Sequence, residues 1–366
     1  MNYVLPGKLL FTRVRPTTVN PAKNIVVLYD FPSAQDATGL TVLDGSVNES
    51  LRRVLELADV DPEELDVHYV LRGLPEKHEV KNSLVKKDAL GLSGPALLER
   101  KVGAGLYLDD KDWQRVVELR EGIRAAKPDI VIACGAIAAL VVTGEANIKR
   151  HRGTVLWGAE TDCKALITYS PWAVHRQWKF FNVLLIDWLK ALRSVEHDGA
   201  ALPIPETQVF VPETLDEARG LIARLSRLGQ RGELCSADIE TAKQQMDCIG
   251  FSIRDGWSVC IPFWDKVTGE NLWSLREEIE LLKMVAEYLE RDEPKVFQNG
   301  LYDVWWLYGV YGIQVQGFQE DTFLMHHVLL PEMERGLGAL GSFYTNRPSW
   351  KHINKTRGVS HKDKSE

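Results

Sequence analysis

Cys235-Ser236-Ala237-Asp238-Ile239-Glu240 alternates apolar and polar residues, the period of a half-buried strand. Successive side chains on a strand point to opposite faces, so Asp238 and Glu240 share one face while Ile239 enters the core. Two neighbouring carboxylates repel each other. A divalent cation that prefers hard oxygen ligands, Mg²⁺ or Mn²⁺, relieves that repulsion. Two solvated acids at a strand end is the other reading of the same spacing. Further on, Val296–Gln298 is a short apolar strand that breaks at Asn299-Gly300 into a helix beginning near Asp303. This corner places a third carboxylate at a sheet edge with an amide nearby. Taken alone, Asp303 is also explained as a helix N-terminal acid favoured by the dipole.

Around these segments, CIGFSI and WSVCIPF (within 248–263) read as two more strands joined by a short turn. Thr214 with Glu217, and Ser274 with Glu277, have capping-box spacing and open a helix on either side of the strands. Strands in succession followed by helices predict an α/β domain with a mixed sheet over 206–350. His326 and His327 sit in an apolar helix and are expected to pack there rather than to bind metal. Asp321 is expected to cap that helix.

The first part of the chain has a different rhythm. NIVVLY (24–29), DIVIA (129–133) and KALITY (164–169) are apolar strands. Helical periods lie between and after them, at Leu51/Val54/Leu55/Ala58, at Trp113/Val116/Val117/Ile123 and over Val174–Leu192. Strands alternating with helices predict a doubly wound parallel sheet over residues 1–198. Residues 199–205, in the small-residue and proline stretch HDGAALPIP, are the expected linker, and 351–366 is an aperiodic polar tail.

Charge and composition narrow the function. Residues 1–200 hold equal numbers of acidic and basic side chains, so the whole net charge of −7 belongs to the remainder. A polycation coating duplex nucleic acid is excluded. An acidic half suits nucleic-acid work only where its carboxylates hold cations against phosphate. No apolar run approaches the ~20 residues a bilayer demands, so no membrane association is expected. The N-terminal MNYVLPGKLLFTRVRP lacks the pattern of a secretory signal. Five cysteines without a C-x-x-C pair fit neither a disulfide scaffold nor a zinc ribbon, and predict a reduced, cytoplasmic chain.

ADIET (237–241), CIGFSIRDGWSVCIPF (248–263), NGLYD (299–303) and EDTFLMHHVLLPEMERGLGALGSFY (320–344) together resemble the 3′→5′ proofreading exonuclease domain of family A DNA polymerases, the bacteriophage versions above all. The resemblance implies a ribonuclease H-like fold and hydrolysis of 3′-terminal phosphodiesters with two divalent metal ions, Mg²⁺ or Mn²⁺. It implies Asp238 bridging both metals, Glu240 on the first with the attacking water, and Asp303 on the second. Thr241 and Asn299 match positions that contact the terminal nucleotide or brace the loop. The family's third motif, a tyrosine followed four residues later by an aspartate, has no counterpart. Asp363 is the last aspartate, and Val359 stands where its tyrosine belongs. The implied partners are therefore single-stranded or 3′-terminal DNA and a separate polymerase polypeptide that supplies the missing motif. A stand-alone exonuclease on DNA or RNA is one alternative, and an inactive DNA-binding accessory module is another.

VVLYDFPSAQDATGLTVLDG (26–45), KPDIVIACGAIAALVVTG (127–144), HRGTVL (151–156) and ITYSPWAVHRQ (167–177) resemble, more weakly, the uracil-DNA glycosylase superfamily. Asp30 and Pro32 then fall in the first motif, and Ser170 replaces the motif histidine. No cysteine precedes Cys134, so that superfamily's four-cysteine iron–sulfur cluster is not expected. A non-catalytic domain is the expectation. Its basic runs Lys149-Arg150-His151-Arg152 and His175-Arg176-Gln177-Trp178-Lys179 are read either as contacts to phosphate and bases or as ordinary solvated faces.

Overall fold

Every residue of Ile25–Tyr29 (β1) is buried, as a strand covered on both faces must be. The computed structural model describes residues 24–32, 46–71, 80–196, 206–242, 245–253, 256–265 and 268–347. The expected linker 199–205, the tail 351–366, and with it Val359 and Asp363, lie outside the described residues. After β1 come α1 (Glu49–Leu57), β2 (Leu65–Tyr69), β3 (Val85–Lys86), α2 (Gly94–Leu98), β4 (Lys101–Gly103), β5 (Leu106–Tyr107) and α3 (Asp110–Ala126). Then follow β6 (Ile130–Cys134), α4 (Ala136–Thr143), α5 (Ile148–His151), β7 (Val155–Gly158), β8 (Cys163–Thr168), α6 (Pro171–Arg176) and α7 (Phe181–Glu196).

The main sheet of this first unit has the order β2-β1-β6-β8-β7. It is parallel except for β7, which runs antiparallel to β8. A small antiparallel sheet, β3-β5-β4, lies apart from it in strand order. Ile25, Val27 and Tyr29 share a core with Leu51, Val54 and Leu55 of α1 and Leu184 and Trp188 of α7. Val26 and Leu28 share a separate core with Val116 and Ile123 of α3 and Ile137 and Leu140 of α4. Helices therefore cover both faces, the doubly wound arrangement. The helix expected over Val174–Leu192 is two helices: Gln177 is extended (φ −143) and a 3₁₀ turn spans Trp178–Phe180. The break lets Phe181 enter the core while the Phe180 ring packs on Tyr169 at 4.5 Å.

Pro205–Leu337 forms a second compact unit. Its elements are β9 (Gln208–Phe210), α8 (Leu215–Gly229), β10 (Cys235–Ala242), β11 (Gln245–Ile253), β12 (Trp257–Pro262), α9 (Leu275–Leu289), β13 (Lys295–Phe297), α10 (Leu301–Tyr311), β14 (Phe318–Asp321) and α11 (Thr322–Leu329). The sheet order is β14-β13-β10-β11-β12-β9. β11 is antiparallel to both neighbours and the other pairs are parallel, a mixed sheet as the strand succession predicts. Ala237, Ile239, Ile249, Phe251, Val259 and Ile261 pack with Ile222 and Leu225 of α8 and Leu281, Val285 and Tyr288 of α9. Ser274 and Glu277 close a full capping box on α9. Thr214 caps α8 through the Glu217 N–H, but the Glu217 carboxylate accepts from Glu213 instead of Thr214.

The expected domain end at 350 is corrected. The second unit stops at Leu337, and the following helix α12 (Leu337–Tyr344) groups from Gly338 on with the first unit. Buried cations explain this. Lys190 Nζ donates to the carbonyls of Gly153 (2.9 Å), Thr345 (2.8 Å) and Ser342. Arg152 bonds Asp187 Oδ1 (3.1 Å) and Ser342 Oγ, and its guanidinium stacks on Phe343. Asn346 Oδ1 accepts from Val155 N–H on edge strand β7 at 3.1 Å. A buried ammonium or guanidinium must find acceptors, and this segment brings them. Among the described residues no helix is long and apolar enough to cross a membrane.

Candidate active site

β10 presents its side chains as the alternation demands: Cys235, Ala237 and Ile239 are buried, while Ser236, Asp238 and Glu240 are exposed. In register, Asp238 faces Gly250 and Glu240 faces Cys248, and the pairing slips between Glu240 and Thr241. Such an irregularity re-aims the side chains beside it. On the other edge, β13 pairs with β10 only at Cys235 and Ser236, then ends at Phe297. Beyond that point the edge is met by a side chain: the Ile239 N–H donates to Asp303 Oδ1 at 3.0 Å.

The turn between β13 and α10 delivers Asp303 to this position. Asn299 adopts a left-handed conformation (φ +61), and a Cβ on Gly300 would lie 2.3 Å from that of Phe297, so the corner needs a glycine there. Asp321 clamps the corner. Its carboxylate accepts from the N–H groups of Asn299 (3.1 Å) and Gly300 (2.8 Å), and from Phe323 (2.8 Å) and Leu324 (3.3 Å) at the start of α11. The expected capping role of Asp321 is thus present, together with a grip on Asn299-Gly300 that no local sequence signal announces. Asp303 falls in the first turn of α10 and is 4% exposed. Thr241 Oγ1 and Tyr302 Oη lie 2.8 Å apart, a second tie between β10 and α10.

Burial pushes the Asp303 carboxyl above the usual carboxylate range, the N–H of Ile239 pulls it back, and the charges of Asp321 and Glu240 push it up again. Asp238, Glu240 and Asp303 offer hard carboxylate oxygens, a donor chemistry that fits a divalent cation. The tight cage expected of Asp238, Glu240 and Asp303 is not gathered, because among the described residues no three Asp, Glu, His or Cys side chains stand close enough to hold an ion. Like charges hold apart, and Asp303 is engaged with a backbone N–H. His326 is buried and His327 exposed, neither in a metal cluster.

In the first unit, Asp30 directly follows β1 and accepts from the N–H groups of Ala136 (3.1 Å), Ile137 (2.8 Å) and Ala138 (2.9 Å), the first turn of α4. Gly135 (φ +129) has to be glycine, since a Cβ would lie 2.3 Å from the Asp30 carboxyl. Pro32 is buried beyond it, and Ser170 sits at the start of α6 without a side-chain capping bond. The Lys149–Arg152 run is not one basic face. Arg150 pairs with Glu145 at 2.8 Å and Arg152 is turned inward to Asp187, which leaves Lys149 as its exposed cation. In the second run, exposed Trp178 stacks on Phe181 at 4.7 Å.

No family model matches this chain, and no curated protein matches it. Among solved structures, it is similar to the EXD2 exonuclease domain soaked in Mn and GMP, at 16% identity and a TM-score of 0.26, over 39% of this chain and 71% of that one. It is similar to the catalytic core of RRP6 from Trypanosoma brucei at 16% identity and a TM-score of 0.31, over 40% of this chain and 37% of that one. The Trypanosoma brucei RNase D:GMP complex is similar at 17% identity and a TM-score of 0.22, over 30% of this chain and 32% of that one.

Proposed function

We propose that the second unit is a metal-dependent 3′→5′ exonuclease acting on single-stranded nucleic-acid ends. The observation that carries the reading is the hydrogen bond from Ile239 N–H to Asp303, which ties a third carboxylate to the residue between Asp238 and Glu240. Asp238, Glu240 and Asp303 would hold two divalent cations, Mg²⁺ or Mn²⁺, which when bound supply an activated water and neutralise the scissile phosphate. The chain's own part is to position. Asp321 holds the Asn299-Gly300 corner, the corner sets the start of α10, and Thr241 with Tyr302 pins that helix to β10. In this reading Thr241 and Asn299 stand beside the terminal nucleotide. The first unit serves as a non-catalytic domain, its Asp30 committed to capping α4.

Degradation of 5′-labelled single-stranded DNA and RNA by the full chain, with Mg²⁺ or Mn²⁺, tests the proposal. Shortening from the 3′ end that Asp238→Ala abolishes is the expected result, with Mn²⁺ binding weakened in the same variant. Unchanged degradation or unchanged Mn²⁺ binding in Asp238→Ala would overturn it. Repeating the assay with a separately expressed polymerase chain tests whether a partner completes the site. Stimulation by that chain supports a split polymerase, and full activity without it supports a stand-alone nuclease.

A further inference from the structure

None of the five cysteines is in a disulfide, but they differ in placement. Cys134, Cys163 and Cys235 are buried, whereas Cys248 and Cys260 are partly exposed. The register of β11 and β12 pairs Cys248 with Pro262 and Gly250 with Cys260, so the two cysteines are diagonal neighbours on adjacent strands. They lie on the sheet face that carries Asp238 and Glu240, since Asp238 pairs with Gly250 and Glu240 with Cys248. Gly250, between Asp238 and Cys260 in the cross-strand row, contributes no side chain to cover them.

We propose that Cys248 and Cys260 are a reversible oxidation site, closing to an intramolecular disulfide when met by hydrogen peroxide. Cys260 is the attacking sulfur. The S–H of Cys248 donates to it and draws the Cys260 thiol down to about 7, so a thiolate is present near neutral pH. That thiolate attacks one peroxide oxygen, giving a sulfenic acid and, after protonation, one water. The Cys248 sulfur then attacks the sulfenic sulfur and expels the second water. Two thiols lose two electrons and two protons, and one peroxide becomes two waters.

Diagonal neighbours on a sheet have Cα atoms roughly 7–8 Å apart, while a relaxed disulfide spans about 4.4–6.8 Å. That span exceeds what a disulfide bridges without backbone movement, so closure shifts the backbones of β11 and β12 under strain, and strained, accessible disulfides are the readily reduced ones. The pair is a labile site and not a structural staple. This inference stands on the two strands alone and does not depend on the nuclease reading.

The test treats the reduced full chain with hydrogen peroxide, then alkylates it in denaturant. The untreated chain takes up five alkyl groups, one per cysteine. The treated chain is expected to take up two fewer, and the tryptic map to join the peptide ending at Arg254 to the one beginning at Asp255. Millimolar glutathione restores full alkylation. Cys248→Ser and Cys260→Ser are each expected to form no such link, and only Cys248→Ser, which keeps the attacking sulfur, to accumulate a sulfenic acid. Retention of all five thiols in the treated wild type would overturn the proposal. So would a linked pair that persists in Cys260→Ser, or oxidation past the sulfenic stage without a link. The wild-type peptide map decides the matter even if a variant folds poorly.

Discussion

Asp303 Oδ1 accepts the Ile239 backbone N–H at 3.0 Å across 64 residues of chain. β13 ends at Phe297, so the edge of β10 beyond Ser236 is completed by a side chain from the first turn of α10. One carboxylate thereby closes a sheet edge and stands beside the residues with which it shares the candidate chemistry.

That double role separates two substitutions. Asp303→Asn keeps an oxygen that accepts from Ile239 and removes the charge. Its thermal midpoint should stay near wild type while the proposed exonuclease activity falls by roughly 10²–10⁴. Asp303→Ala also strands the N–H and should cost a further ~1–3 kcal/mol of stability. Activity of Asp303→Asn within twofold of wild type would remove Asp303 from the site.

Asp321 acts one step back from the chemistry. Asp321→Ala deprives four N–H groups of their acceptor, two at the Asn299-Gly300 corner and two at the start of α11. The cap alone is worth ~0.5–2 kcal/mol. Chemical denaturation should show at least that loss, and kcat should drop through misplacement of Asp303 while Asp321→Asn recovers part of it. A variant with lowered stability but unaltered kcat would confine Asp321 to a capping role.

Asp30 gives the first unit a pH signature. Burial lifts its carboxyl to about 6 from an ordinary 3.8, overriding three backbone donors. The folded state holds a proton that the unfolded chain has already released. The associated stability is full below pH 3.8 and is lost as the pH rises to about 6, a change of up to about 3 kcal/mol. Asp30→Asn should flatten the dependence of the unfolding midpoint over that window. Parallel wild-type and variant profiles between pH 4 and 7 would contradict the assignment.

Asp187 is fully buried, that burial raises its pKa, and the charge of Arg152 opposes the rise more than any other group does. Arg152→Leu should cost ~3–5 kcal/mol, because it leaves a buried carboxylate without its partner, whereas Arg152→Leu combined with Asp187→Leu should recover much of the loss. Urea denaturation of both variants checks this. Limited proteolysis should release the segment after Leu337 more readily in the single variant than in wild type.

Features written in short windows are legible in the amino-acid sequence by itself. The alternation through Cys235–Glu240 settles which face bears Asp238 and Glu240, and the fully apolar IVVLY announces a strand with both faces covered. Ser274 with Glu277 marks the start of α9. Each depends on side-chain period or on a cap within one turn, and both are local properties of the backbone.

Tertiary structure alone decided the rest. Asp321 and the Asn299-Gly300 corner are more than twenty residues apart, and they meet only because β14 lies parallel to β13. Cys248 and Cys260 become neighbours through the register of two antiparallel strands, which no cysteine spacing encodes. Leu337–Tyr344 reads as one more helix of the second unit, yet from Gly338 onward it belongs with the first, where Lys190 and Arg152 need acceptors for buried charge. A buried ion's demand for partners and a sheet's choice of register are satisfied between segments distant in the chain. The sequence supplies the groups, and packing selects which of them meet.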